Sequence, residues 1–119
     1  MEKLTIQEQD AMLAVWKTGE GSVKSFMEAM TPPVPPYTTV ASTIKNLEKK
    51  GYLSSRMIGN AYLYAPAVSE EAYKQKFMGS VVKDYFENSY KELVSFFAQK
   101  NKISADELRE IIGLIEGKK

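Results

Sequence analysis

One segment of the chain combines short hydroxyl side chains with lysines at helical spacing. At about 100° per residue, residues 38–50 place an apolar stripe on one face and polar side chains on the other. The polar side chains are Thr38, Thr39, Ser42, Lys45, Asn46 and Lys49. Hydroxyls and amides bind base edges or phosphates, and lysines bind phosphates. The chemistry this segment offers is contact with the major groove of double-stranded DNA.

The same region carries a small excess of positive charge. The whole chain has a net charge of +1. Residues 37–60 hold Lys45, Lys49, Lys50 and Arg56 against Glu48, a local excess of +3. A patch of this size is common on proteins that bind no nucleic acid, and a polar helix face is usually just solvated. The DNA interpretation therefore depends on the elements around the segment.

The residue types missing from the chain exclude most catalytic chemistry. The sequence contains no cysteine and no histidine, so it lacks thiolate nucleophiles, disulfides, the commonest general base and the commonest metal ligands. No acidic pair lies among apolar residues that would raise a carboxyl pKa. We therefore expect no enzymatic activity, no metal site and no cofactor.

Three helices precede the change to strand-like alternation. The first is predicted over residues 4–16, with Thr5 and Glu8 at capping-box spacing. The second begins after Ser22 and ends at the prolines that follow Met30. The third covers residues 38–50 and ends at Gly51, which is a typical residue after a helix.

A β-hairpin follows the third helix. Residues 52–58 alternate in polarity, Gly59 and Asn60 form a turn signal, and residues 62–64 give a second strand before Pro66. Three helices followed by a hairpin is the order of a winged helix-turn-helix. In that arrangement residues 38–50 form the recognition helix and residues 53–64 the wing. We expect Lys45, Lys49 and Arg56 to contact phosphates.

The rest of the chain is helical and rich in large apolar residues. Ser69 and Ser104 begin helices, and Asn88 and Ser89 interrupt the long helical stretch between them. A short chain cannot bury this many large apolar side chains by itself, which indicates a subunit interface. The predicted dimerisation residues are Tyr73, Phe77, Val81, Tyr85, Phe86, Leu93, Phe97, Leu108, Ile111, Ile112 and Ile115. The alternative is an internal core against the winged domain.

The predicted fold class is mainly α with a small β-hairpin. Residues 1–68 form a winged helix-turn-helix DNA-binding domain, and residues 69–119 form a helical dimerisation domain. A dimer also matches a DNA site with two symmetric half-sites, because each half-site binds one recognition helix.

Three groups of residues carry a resemblance to a known family. They are Leu4-Thr5 with Glu8, Met12 and Val15-Trp16; Tyr37-Thr38-Thr39-Val40 with Leu47-Glu48-Lys49-Lys50-Gly51-Tyr52-Leu53; and Tyr62-x-Tyr64-x-Pro66. Over nearly its whole length the chain resembles the penicillinase-repressor family, which includes the methicillin-resistance and copper-transport repressors. The resemblance implies a homodimer that binds a palindromic operator and blocks transcription. It also implies that residues from about 69 onward form the dimer interface.

The chain departs from that family at three points. Many relatives have arginine where this chain has Asn46, so one phosphate contact is absent. The copper-responsive members carry C-terminal cysteines, which this chain lacks. The β-lactam-responsive members are cleaved in the tail by a regulatory protease at an Asn-Phe bond, and Phe96-Phe97 stands at the matching position. The resemblance thus suggests cleavage between Phe96 and Phe97 as a hypothesis. By itself, an apolar pair in a helix is typical of a helix core.

Three other functions remain open at this point. One is a winged-helix module that binds proteins and not DNA. Another is an enzyme, against which the missing histidine, cysteine and phosphate-binding glycine loop argue. The third is a repressor that senses a small molecule between its tail helices. No apolar run approaches 18 residues and the N-terminal residues do not resemble a signal peptide, so we expect a cytoplasmic protein without a membrane contact.

Overall fold

Residues 3–117, the part of the chain that the computed structural model describes, form six helices and one hairpin. The elements are α1 (Ile6–Thr18), α2 (Val23–Ala29), α3 (Tyr37–Lys49), β1 (Leu53–Ile58), β2 (Ala61–Pro66), α4 (Glu70–Tyr85), α5 (Tyr90–Gln99) and α6 (Ala105–Ile115). The predicted fold class, mainly helical with a winged helix-turn-helix, is confirmed. The ends of both predicted domains, residues 1–2 and 118–119, lie outside the described range.

Local capping sets where α1 begins. The Thr5 side chain accepts a hydrogen bond from the Glu8 amide at 3.2 Å, and the Thr5 amide donates to the Glu8 carboxylate at 2.9 Å. This is the capping box that the sequence predicts. Because Thr5 is the extended cap residue, α1 begins later than the predicted span of 4–16. It ends at Thr18 and is followed by Gly19, whose φ of 83° is in the region that favours glycine.

Helix α3 lies on a core formed with α1 and α2. Its apolar stripe of Val40, Ile44 and Leu47 is buried, as predicted from the helical spacing. The helix runs Tyr37–Lys49 and is followed by Gly51 with a φ of 85°. That glycine makes the sharp change of direction from the helix into β1.

The hairpin is anchored to the helices at its inner end. Strands β1 and β2 are antiparallel, with the turn at Gly59 and Asn60 as predicted, and β2 extends to Pro66. Gly21, between α1 and α2, exchanges two backbone hydrogen bonds with Tyr64, of 2.9 and 2.8 Å. These bonds hold the base of the wing against the helical core.

The chain divides into two compact units, the first ending at Tyr73 and the second beginning at Lys74. The first unit extends past the predicted boundary at 68 because Tyr73 packs on its aromatic residues. The ring centroid of Tyr73 lies 5.4 Å from that of Trp16 and 6.0 Å from that of Tyr52. The indole Nε1 of Trp16 also donates to the Val68 carbonyl at 2.9 Å.

The second unit contains α4, α5 and α6. Glu87 and Asn88 have positive φ angles of 52° and 62°, which end the long helical stretch where the sequence predicts a break. Ser104 forms a second capping box with Glu107 at the start of α6. Val82 of α4 is fully buried, whereas α5 and α6 contain no buried residue. Within residues 3–117, no helix has both the length and the apolar character needed to cross a membrane.

Candidate nucleic-acid interface

The outer face of α3 is available for contact. Five of the six predicted DNA-contacting residues of this helix are exposed, namely Thr38, Ser42, Lys45, Asn46 and Lys49. Thr39 is half-buried, and its carbonyl accepts a hydrogen bond from the Thr43 hydroxyl at 2.9 Å. The face therefore presents short polar groups near the start of the helix and lysines toward its end.

Lys50, part of the predicted local charge excess, is paired with an acid from α1. Its Nζ lies 2.6 Å from the Glu8 carboxylate and also donates to the Lys3 carbonyl at 3.2 Å. Burial works against ionisation of Glu8, but hydrogen bonds from Lys50 and the Thr5 amide outweigh it. The pKa of the Glu8 carboxyl therefore lies below its usual 4.5. This pair fastens the end of α3 to the start of α1.

Arg56, predicted to contact phosphate, is paired as well. Its Nε and Nη2 donate to the two carboxylate oxygens of Glu20, each at 2.7 Å. This hydrogen bonding lowers the pKa of Glu20 and raises the pKa of Arg56. The forked geometry fixes the guanidinium direction and occupies two of its donors.

The cations of residues 37–60 thus fall into two classes. Lys50 and Arg56 are neutralised by acids that lie outside that segment. Within residues 3–117, Lys45 and Lys49 have no acidic partner at ion-pair distance. The charge that α3 presents outward comes from these two lysines.

One face of the wing adjoins α3 and was missed by sequence reasoning. Tyr64 is buried on this face beside the exposed Tyr62, with 6.4 Å between their ring centroids. The Ser55 hydroxyl, opposite Tyr64 in the register, donates to the Glu48 carboxylate of α3. Burial, and then the proximity of Glu48, Tyr62 and Tyr37, raise the pKa of the Tyr64 phenol. The signal was available, since strand alternation places Tyr62 and Tyr64 on one face.

The predicted dimerisation residues are distributed unevenly. Tyr73 is half-buried and packs within the first unit, against Trp16 and Tyr52. Val81, Phe86, Leu93 and Leu108 are half-buried. The exposed members of the set are Phe77, Tyr85, Phe97, Ile111, Ile112 and Ile115. Leu114, which the sequence prediction does not include, is 75% exposed. Apolar exposure on this scale is typical of an interaction surface.

The predicted cleavage pair lies within α5. Phe96 and Phe97 are 44% and 39% exposed, and their ring centroids are 5.3 Å apart. Phe96 also makes an edge-to-face contact with Phe86 at 5.7 Å. No residue of α5 is buried.

The residues described, 3–117, contain no group of three or more acidic side chains placed to hold a metal ion. The arrangement instead offers a rigidly supported helix face with hydroxyl, amide and ammonium groups.

The comparison with protein families agrees with the sequence resemblance. The family model described as penicillinase repressor matches residues 4–117, and its members are transcriptional regulators and not enzymes. A solved structure of Bordetella bronchiseptica BpsR, reported for the regulation of its DNA binding by 6-hydroxynicotinic acid, is similar with a TM-score of 0.49. It is 16% identical, and the match covers 96% of this chain and 74% of that chain. None of the curated proteins matches the chain with statistical significance.

Proposed function

We propose that this chain, which belongs to the penicillinase repressor family of DNA-binding transcriptional repressors, acts as a homodimer on a palindromic operator. The observation that carries the proposal is the exposed polar and basic face of α3 on a buried apolar stripe. A major groove about 12 Å wide admits one such helix. Small side chains at its leading end allow close approach to the bases.

The roles proposed for the α3 side chains follow from their chemistry. Thr38, Ser42 and Asn46 are short hydrogen-bonding groups suited to base edges or nearby phosphates. Lys45 and Lys49 supply phosphate contacts, which position the protein without reading sequence. Arg56, held by Glu20, is assigned to fixing the wing and not to binding phosphate.

The homodimer is proposed from the apolar surface of the second unit. Tyr85 of α4 is 78% exposed, and Ile112 and Ile115 of α6 are 50% and 80% exposed. Covering such side chains with a second copy removes apolar area from water. Linking two recognition helices also raises the effective concentration of the second on its half-site. This gives tight binding from two individually weak contacts.

We further propose that release of the operator follows cleavage between Phe96 and Phe97. The supporting feature is that α5 contains no residue buried within the chain itself. Cutting there detaches α6 from the rest of the tail, so the two recognition helices lose their linkage. Incubation with lysate from induced host cells tests this step. An intact chain after derepression would contradict it.

The experiment that tests the repressor proposal is titration of the full chain against fragments of its own upstream DNA at two salt concentrations. The expected result is tight binding to a two-fold symmetric site, with affinity that falls steeply as salt rises. The matched variants are Lys45→Ala and Lys49→Ala. If neither variant weakens binding, the assignment of α3 as the DNA-contacting helix fails. If no sequence-selective binding occurs at low salt, the chain is a winged-helix protein-interaction module instead.

A further inference from the structure

The outer end of the wing carries neutral side chains on the face that adjoins α3. Met57 and Tyr62 are directly opposite each other in the hairpin register. They are 54% and 55% exposed, a high fraction for a large side chain. They form the last pair on their face before the turn.

The inner end of this face shows which way it points. Tyr64 and Ser55 form the neighbouring pair on the same face. Tyr64 is buried, and the Ser55 hydroxyl donates a hydrogen bond to the Glu48 carboxylate of α3. Since alternate residues of a strand point the same way, Met57 and Tyr62 continue this α3-side surface outward beyond the protein core.

The wing has no free charge of its own to bring to DNA. Across the two strands, Leu53–Ile58 and Ala61–Pro66, Arg56 is the one charged residue. It lies on the opposite face from Tyr62 and forms a bidentate ion pair with Glu20, with both hydrogen bonds at 2.7 Å. Any contact that the α3-side face makes with a polyanion is therefore made by neutral groups.

We propose that the wing binds the DNA backbone through Tyr62 and Met57, by a phenol–phosphate hydrogen bond and apolar contact with deoxyribose. The inference rests on the proposed function, because it places the wing beside a helix in the major groove. A phenolic O–H is a neutral donor to phosphate oxygens. Met57 supplies an apolar surface for the sugar, and methionine is among the apolar side chains that minor-groove-binding proteins insert between base steps.

This mode of binding has a signature that ionic contacts lack. Each lysine that neutralises a phosphate releases counterions and steepens the fall of affinity with salt. A neutral contact adds affinity without that release. Loss of Tyr62 therefore lowers affinity by the same factor at every salt concentration.

The test uses the full chain and the duplex that it enriches from a random-sequence pool. Dissociation constants are measured over a series of salt concentrations for Tyr62→Phe, Tyr62→Ala and Met57→Ala. Ile58→Ala is the matched control, because Ile58 is 50% exposed at the same end of the wing but on the opposite face. The three side chains that these four variants change are exposed, so thermal unfolding is expected to match that of the parent.

The expected result is a loss of about twofold to tenfold for each wing in Tyr62→Phe, the effect of one hydrogen bond. Tyr62→Ala loses more, Met57→Ala also weakens binding, and the salt slope stays that of the parent. Ile58→Ala binds as the parent does. Parent-like affinity in both Tyr62 variants, or a flattened salt slope, overturns the inference while leaving the repressor proposal intact. If the parent enriches no duplex, the proposed function and this inference fail together.

Discussion

The division of the cations into paired and unpaired groups predicts which lysines set the salt dependence of DNA binding. Lys45 and Lys49 have no acidic partner among the residues that the structure describes, whereas Arg56 is forked to Glu20. Changing either lysine to alanine removes one phosphate contact from each half of a dimer. At about 0.9 in slope for each contact, the plot of log K against log salt flattens by about 1.8.

That change in slope is large enough to measure directly. Between about 50 and 200 mM salt, a flattening of about 1.8 alters the affinity lost by roughly tenfold. Fluorescence anisotropy with a labelled operator duplex at four or five salt concentrations gives the slopes. Arg56→Gln is the control, and its slope is expected to match the parent's. The reasoning is refuted if Arg56→Gln flattens the salt slope while Lys45→Ala and Lys49→Ala leave it unchanged.

Three further predictions follow from the same contacts. Lys50→Met leaves Glu8 buried without its cation, so the free energy of unfolding falls by about 2 kcal/mol in urea denaturation. Folding lowers the pKa of Glu8 below 4.5, so the stabilisation is present above that pH and lost as pH falls through the folded pKa. The difference in free energy of unfolding between parent and Lys50→Met therefore becomes smaller in acid. A difference that does not change with pH would contradict the ion pair. Glu20→Gln frees Arg56 for phosphate and steepens the salt slope, whereas an unchanged slope means that Arg56 lies out of reach of DNA. Ile112→Glu on α6 is expected to convert the dimer to a monomer in sedimentation velocity. A dimer that persists would show that Ile112 of α6 lies outside the interface.

The parts of the fold that the sequence predicts well depend on neighbouring residues. Capping at Thr5, Ser22 and Ser104 involves partners three residues away, so type and spacing suffice to locate the helix starts. The Gly59–Asn60 turn and the buried stripe of α3 follow from local patterns in the same way.

The parts that the sequence could not predict depend on distant partners. Lys50 meets Glu8 across 42 positions, and Arg56 meets Glu20 across 36. A charge count over residues 37–60 therefore overstates the cations that face outward.

Tyr73 illustrates the same limit for apolar residues. Helical spacing indicates that it lies on an apolar stripe, but not which surface the stripe covers. Its packing on Trp16 and Tyr52 depends on where α4 leaves the first unit.

Binding of a symmetric operator by a dimer is tested by the footprint and the stoichiometry of the full chain on the duplex that it enriches from a random-sequence pool. We expect two chains per duplex and two protected segments related by two-fold symmetry. Their centres lie about 34–36 Å apart, one helical turn, or a multiple of that. A single unsymmetrical footprint with one bound chain would contradict the dimeric operator reading, and the absence of any enriched sequence would contradict sequence-specific DNA binding itself.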